Sequence, residues 1–281
     1  MNILFNGCSK DDNKDEIDNG AANIATFINA KWKISNPNSI YASFEFNKDG
    51  NYIIVKNESV VKSATRLNST TSKKNFLSQF SRINVRAASE SNISPIHFGT
   101  YSIEGNTIKL SGFGIVNVIS ITAEKISFSV KTESTGEILN YDADKAQNLI
   151  ATSNRTEMLC RSWVLNKISI DVTSINEEDK NFYIEEYGSN WKAMAEKELN
   201  DNRAGLTVLF SRAGTYLVTY TNEEPGLSEW KWANKEETAI YYSWDNWKDN
   251  WTDYPVFIKE LSSTTLKIQE EFEIYELKLL K

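Results

Sequence analysis

Thiol and imidazole are nearly absent from this chain: 281 residues hold two cysteines and one histidine. Cys8 and Cys160 cannot build a disulfide framework. A zinc site or nucleophilic triad resting on imidazole has only His97 to draw on, and its surroundings, SPIHFGTY, supply no ligand partner. H-E-x-x-H, G-x-S-x-G and the phosphate-binding P-loop are all missing. Without a run of 18 apolar residues, no membrane-spanning helix is expected. Basic excess is missing too. The net charge is -7, so nucleic acid is not an expected partner. The acids between Asp245 and Asp253 do not follow the calcium-loop pattern D-x-[DN]-x-[DN]-G. These absences lead us to expect a protein without catalysis, cofactor or bound metal.

The scarce residues then have plain structural readings. His97 reads as a strand-start residue sharing a face with Tyr101 and Ile103. Cys160, in MLCRSW, reads as a small buried hydrophobe. GFG at Gly112–Gly114 lacks the third glycine of a dinucleotide loop and reads as a bulge between strands.

What the sequence does hold is alternation. In KISFSVKT, Ile126, Phe128 and Val130 face one way and Lys125, Ser127, Ser129 and Lys131 the other. Tyr216, Val218 and Tyr220 share a face, as do Tyr275, Leu277 and Leu279. One buried and one wet face is the mark of antiparallel sheet.

The pattern also repeats. FEFNKDGNYIIV and LFSRAGTYLVTY both contain F-x-x-x-G-x-Y, through Phe46, Gly50 and Tyr52 and through Phe210, Gly214 and Tyr216. Further on, ITAEKISF from Ile121 matches LSSTTLKI from Leu261. Each half starts with a tryptophan, Trp32 or Trp163. The glycines supply the positive φ that tight hairpins need. Glu104-Gly105-Asn106 marks another hairpin.

About eight strands fall in each half, the number of a small closed barrel. They start near Trp32, Ile40, Tyr52, Phe98, Thr107, Val116, Lys125 and Glu137, and near Trp163, Leu206, Thr215, Glu229, Ala239, Pro255, Thr264 and Glu273. The expected organisation is a tether over 1–23, a barrel over 24–142, a linker over 143–157 and a second barrel over 158–281. Short helices are expected near 144–150, near 75–83 in a Ser/Thr/Asn-rich insertion, and after Ser189. The last, with Ser189 as N-cap, would bring Trp191, Met194, Ala195 and Leu199 onto one face and cover a barrel mouth.

Two Trp-first, eight-strand units with this hairpin resemble the lipocalin-like domains of bacterial surface lipoproteins. The resemblance implies an all-β chain of two tandem antiparallel eight-stranded barrels. Where lipocalins carry Gly-x-Trp, this chain has Ala30-Lys31-Trp32 and Arg161-Ser162-Trp163. The start, MNILFNGCSKDDNKDEIDNG, resembles a lipobox followed by an acidic tether: Phe5 stands three before Cys8, and Gly7 directly before it. That likeness implies acylation at Cys8, a membrane anchor, and a place on the outer membrane or cell surface. The apolar run before Cys8 is shorter than the roughly 7–15 residues of a signal core, so an upstream leader is expected.

Five of the eight tryptophans crowd into EWKWANKEETAIYYSWDNWKDNWTDYPVF. Trp230 and Trp232 alternate on one strand face, while Trp244, Trp247 and Trp251 recur at helical spacing. With Tyr242 and interleaved Asp and Asn, they form a candidate surface for a glycan or small apolar ligand: rings for C–H faces, polar groups for hydroxyls. The competing reading is a plug for the barrel, because each large aromatic ring buries about 150–250 Å². Contact of the loops with another protein, as adhesin or inhibitor, is a further alternative.

Overall fold

A computed structural model describes residues 24–57, 96–147, 150–221, 225–243 and 255–280. The strands form two closed antiparallel barrels in tandem. The first runs β1 (Lys31–Ile34), β2 (Tyr41–Phe46), β3 (Asn51–Lys56), β4 (Ile96–Glu104), β5 (Thr107–Leu110), β6 (Gly114–Ile121), β7 (Lys125–Thr132) and β8 (Ile138–Lys145), with β8 returning to β1. After helix α1 (Asn154–Leu159) the second begins with β9 (Ser162–Ile170). Helices α2 (Glu177–Tyr187) and α3 (Trp191–Asn202) follow. Then come β10 (Thr207–Phe210), β11 (Thr215–Thr219), β12 (Gly226–Trp232), β13 (Ala239–Ser243), β14 (Val256–Leu261), β15 (Thr265–Glu270) and β16 (Glu273–Leu279), which pairs back onto β9. Closure pairs the first and last strands of each barrel, which removes most of the exposed sheet edge among the described residues.

Alternation explains the walls. Ile126, Phe128 and Val130 of β7 are buried while Lys125 and Lys131 are exposed. The two cores are separate apolar clusters, one around Trp32, Phe44, Tyr52 and Phe128, the other around Trp163, Phe210, Trp230 and Tyr275.

The repeated motifs close with matching hydrogen bonds. Phe46 stands opposite Tyr52, and Phe210 opposite Tyr216. Gly50 and Gly214 take φ of 83° and 82°. Their amides are donated to the carbonyls of Asn47 and Ser211, at 3.0 and 3.1 Å. Their own carbonyls accept from Tyr101 and Trp230 on the following strand, both at 2.8 Å. In the later hairpins, the Thr122 hydroxyl accepts the Lys125 amide and the Ser262 hydroxyl accepts the Thr265 amide, each at 3.0 Å. A hydroxyl residue at that place replaces a missing ladder partner inside the turn.

Each barrel is stoppered at one end by a short helical segment before its first strand. In the first it is 24–27, which buries Ile24 and Ile28. In the second it is α1, which buries Leu159 and Thr156. Ser153 caps α1 by accepting the Thr156 amide at 2.9 Å, an interaction worth about 1 kcal/mol.

Several local expectations are corrected. Asp144 and Lys145 end β8, and the helix between the barrels comes later, at α1. Gly112 (φ 69°) sits in the turn joining β5 to β6, so the GFG stretch is a tight turn and not a bulge. Ser189 lies within a 3₁₀ turn, Gly188–Asn190, and α3 starts after Asn190 without a side-chain cap. Of the expected α3 face, Ala195 is buried, whereas Met194 is exposed because the helix lies against the barrel on a narrower stripe. Helix α2 carries no apolar periodicity in the sequence, and none of its residues is buried. His97 follows Ile96 at the start of β4 and is half-buried, its ring 5.0 Å from that of Phe113. Burial, then the charge of Lys56, lowers its pKa. Cys160 is half-buried and forms no disulfide among the described residues. The expected helix near 75–83 lies outside the described residues, as do Cys8, Trp244, Trp247 and Trp251.

Candidate functional site

The up-and-down order of the second barrel gives it two unlike ends. The turns after β10, β12 and β14 lie at the end that α1 stoppers. The C-terminal ends of β9, β11, β13 and β15 lie at the opposite end. Ser243 and Val256, which flank the Trp-rich connection, belong to this second end.

Three of the candidate site residues come together inside the barrel. Trp230 stands opposite Tyr242 on the neighbouring strand. Trp230 and Trp232 meet edge to face, with centroids 5.4 Å apart. Trp230 is wholly buried and donates its indole N–H to the Ser211 carbonyl at 3.0 Å. The half-buried Trp232 donates to Thr156 Oγ1 of α1 at 2.9 Å, so it belongs to the stoppered end. Tyr242 points the other way along the barrel: its hydroxyl donates to Glu270 at 3.0 Å.

That last bond opens onto a polar layer which the sequence reading missed. Glu270 and Glu273 face each other across β15 and β16, and both are buried. Arg203, just past the C-terminal end of α3, is buried beside them. Its Nη1 donates to Glu273 Oε2 at 2.9 Å and to the Tyr275 hydroxyl at 2.6 Å. The Tyr275 hydroxyl donates in turn to Glu273. The guanidinium carbon lies 5.4 Å from the centre of the Tyr275 ring. Burial, by itself, would lower the pKa of Arg203, but Tyr275 and Glu273 outweigh it and the value rises. Burial, with the nearby charge of Glu273, pushes Tyr275 well above the ordinary tyrosine range. Tyr216 rises likewise through burial, then through Tyr220 and Glu270. At neutral pH the layer therefore holds a guanidinium among carboxyl groups and neutral phenols.

Helix α3, which carries Arg203 at its end, is fastened to the wall by side chains. β10 pairs with β9 only along Ser162–Val164. Beyond that, Asn200 takes the place of a strand. It accepts the Ile168 amide and donates to the Ile168 carbonyl, both at 2.8 Å. Glu196 accepts the Ile170 amide at 2.8 Å. An apolar patch of Ile170, Ile175, Ala195 and Phe272 sits beside these bonds.

Among its described residues the first barrel lacks this layer. In the matching register, Phe128 pairs with Tyr141 and Val130 with Leu139. The second barrel has Ile268 with Tyr275 and Glu270 with Glu273. Thus Val130 and Leu139 occupy the places of the two glutamates. Rings of Tyr41, Phe44, Phe113, Phe128 and Tyr141 pack together there, at 5.1 to 6.3 Å between contacting centroids. No helix lies in the short 35–40 connection that replaces α2 and α3.

No protein-family model matches the chain, and neither does any curated protein. Among solved structures, the chain is similar to a DUF4847 family protein from Bacteroides vulgatus ATCC 8482. The two are 13% identical over 43% of this chain and 93% of that one, with a TM-score of 0.27.

Burying an ion pair costs several kcal/mol per charge, and apolar residues of similar volume often serve stability as well or better. Val130 and Leu139 show that this strand register closes without charge. The layer of Arg203, Glu270, Glu273 and Tyr275 is therefore not what the fold requires. Its side chains supply hydrogen-bond acceptors, phenolic donors and aromatic faces at one end of a barrel whose core is mainly apolar.

Proposed function

We propose that this chain is a non-catalytic lipoprotein of the bacterial envelope, anchored by an acylated Cys8, whose second barrel binds a small ligand at its polar end. The first barrel serves as a scaffold. The observation that carries the binding reading is the replacement of Val130 and Leu139 by Glu270 and Glu273 at matching positions of two otherwise similar barrels. A stability role alone leaves that exchange without a reason. The anchor rests on the likeness of the first twenty residues to a lipobox and acidic tether, and it gives the protein its place on the outer membrane or cell surface.

The binding reading is tested by titrating the purified protein with neutral oligosaccharides, fatty acids and small amines while following tryptophan emission and heat. Trp230 lies beside Tyr242, so a ligand reaching the Tyr242–Glu270 bond alters its emission. Saturable binding of one class supports the reading. Silence across all three classes by both readouts removes it.

The Trp-rich stretch supports a second contribution. Trp244, Trp247 and Trp251 belong to the connection between Ser243 and Val256, whose ends lie at the polar end of the barrel. Indole rings are suited to a sugar ring or a small apolar group on the same ligand. Trp247→Ala is then expected to weaken binding.

A further inference from the structure

We propose that Arg203 is an internal stand-in for an organic cation, and that the ligand of the second barrel carries a guanidinium or amine group. This rests on the binding reading given above and names its chemistry. Three observations support it.

The first is what surrounds the guanidinium. One carboxylate, Glu273, and one phenol, Tyr275, accept from the same nitrogen, the Tyr275 ring lies 5.4 Å from the charge, and a second buried carboxyl group, Glu270, stands across the strand pair. Carboxylates with an aromatic face are a cation's natural partners.

The second is where Arg203 comes from. It does not project from a strand of the barrel. It is delivered by α3, which buries only Ala195. Helix α3 is tied to β9 through Asn200, which accepts the Ile168 amide and donates to the Ile168 carbonyl, and through Glu196, which accepts the Ile170 amide. Water can replace these hydrogen bonds, and the apolar contact beside them is small: Ala195, with half-buried Trp191 and Leu199, packs against Ile170, Ile175 and Phe272. If α3 withdraws as a unit, the β9 bonds and the Arg203–Glu273 pair part together. An incoming cation then takes over the carboxylates in place of Arg203.

The third is the first barrel, which has Val130 and Leu139 in the matching register and no helix between its first two strands. The two glutamates and the helix that brings their cation are present together in one barrel and absent together from the other.

The test is isothermal titration of the full chain with agmatine, which carries a guanidinium at one end and an amine at the other. Three proteins are compared: the wild type, Arg203→Met, and Arg203→Met/Glu270→Val/Glu273→Leu, which copies the first barrel's apolar pair. Removing the internal cation should tighten agmatine binding at least tenfold, and the triple variant should bind none. A folded Arg203→Met protein that binds no tighter than the wild type overturns the proposal. So does a triple variant that binds as well as Arg203→Met. If Arg203→Met does not fold alone, methylguanidine should restore its folded circular-dichroism spectrum where equimolar sodium chloride does not; failure of that rescue also overturns it. If a neutral sugar or fatty acid binds the wild type while agmatine binds none of the three proteins, the cation assignment falls and the binding reading stands. If nothing binds, both fall.

Discussion

Trp32 and Trp163 hold the same post in their two barrels. Each is fully buried on a first strand, and each donates its indole N–H to the carbonyl four residues earlier: Ile28 at 3.1 Å and Leu159 at 3.0 Å. The bond ties the helical stopper to the wall it closes, and it satisfies a polar group that would otherwise be costly inside an apolar core. Replacing either indole by alanine removes both the packing and the tie. Each variant should lose about 3–5 kcal/mol. Hydrogen exchange should place the loss within 24–146 for Trp32→Ala and within 150–280 for Trp163→Ala. Loss spread evenly over both barrels would contradict separate cores.

The hairpin glycines differ in what an added methyl group would meet. At Gly50 (φ 83°) a Cβ finds nothing within 4 Å, so the substitution to alanine carries backbone strain alone, about 1–2 kcal/mol. At Gly114 (φ 147°) it would lie 2.2 Å from the Lys131 carbonyl oxygen. Urea unfolding should therefore rank Gly114→Ala clearly below Gly50→Ala in midpoint.

Asp171 directly follows β9 and collects hydrogen bonds. Its carboxylate accepts from the Thr173 hydroxyl at 2.7 Å, the Thr173 amide at 3.0 Å and the Ser174 hydroxyl at 2.8 Å. Thr173, through side chain and backbone, and then Ser174 hold its pKa down to about 2 from 3.8, against a smaller upward push from burial. A carboxyl group depressed in the folded state stabilises fully above its unfolded value. The contribution of Asp171 is thus complete above about pH 4 and lost as pH falls through about 2. In acid titrations followed by circular dichroism, Asp171→Asn should lower stability at neutral pH and narrow its gap to the wild type toward pH 2. A gap that stays constant with pH would contradict this role.

The charged layer makes a paired prediction about stability. Arg203→Met leaves Glu273 buried without its cation and should cost about 3–5 kcal/mol. The variant that also carries Glu270→Val and Glu273→Leu removes the orphaned charges and should recover most of that loss. Chemical denaturation of the two proteins checks the order. If the triple variant is the less stable, the ion pair is a structural requirement after all.

Strand positions were legible in the sequence because their cause is local. Alternation and turn glycines place the start of β7 at Lys125 and that of β16 at Glu273 without reference to the rest of the chain. The helices were less legible. Helix α2 has no apolar stripe, and only Asn176 before three acids marked its start; the Asn176 side chain accepts the Asp179 amide at 2.8 Å. The polar layer was hardest, because Arg203 and Glu273 are 70 residues apart. Register held the one usable signal. Glu270 continues the inward series Leu266, Ile268, and Glu273 precedes Tyr275 and Leu277 on the same face. Acids at inward positions of alternating strands are the places to look for a site.

Chemical-shift mapping of the isotope-labelled full chain with agmatine tests the division of labour between the barrels most directly. The predicted result is a saturable set of shifts at Tyr242, Glu270, Glu273 and Tyr275, accompanied by Ile168 and Ile170 as α3 lets go, with Val130, Leu139 and Tyr141 unmoved. Shifts centred on the first barrel, or none in either barrel, would contradict it.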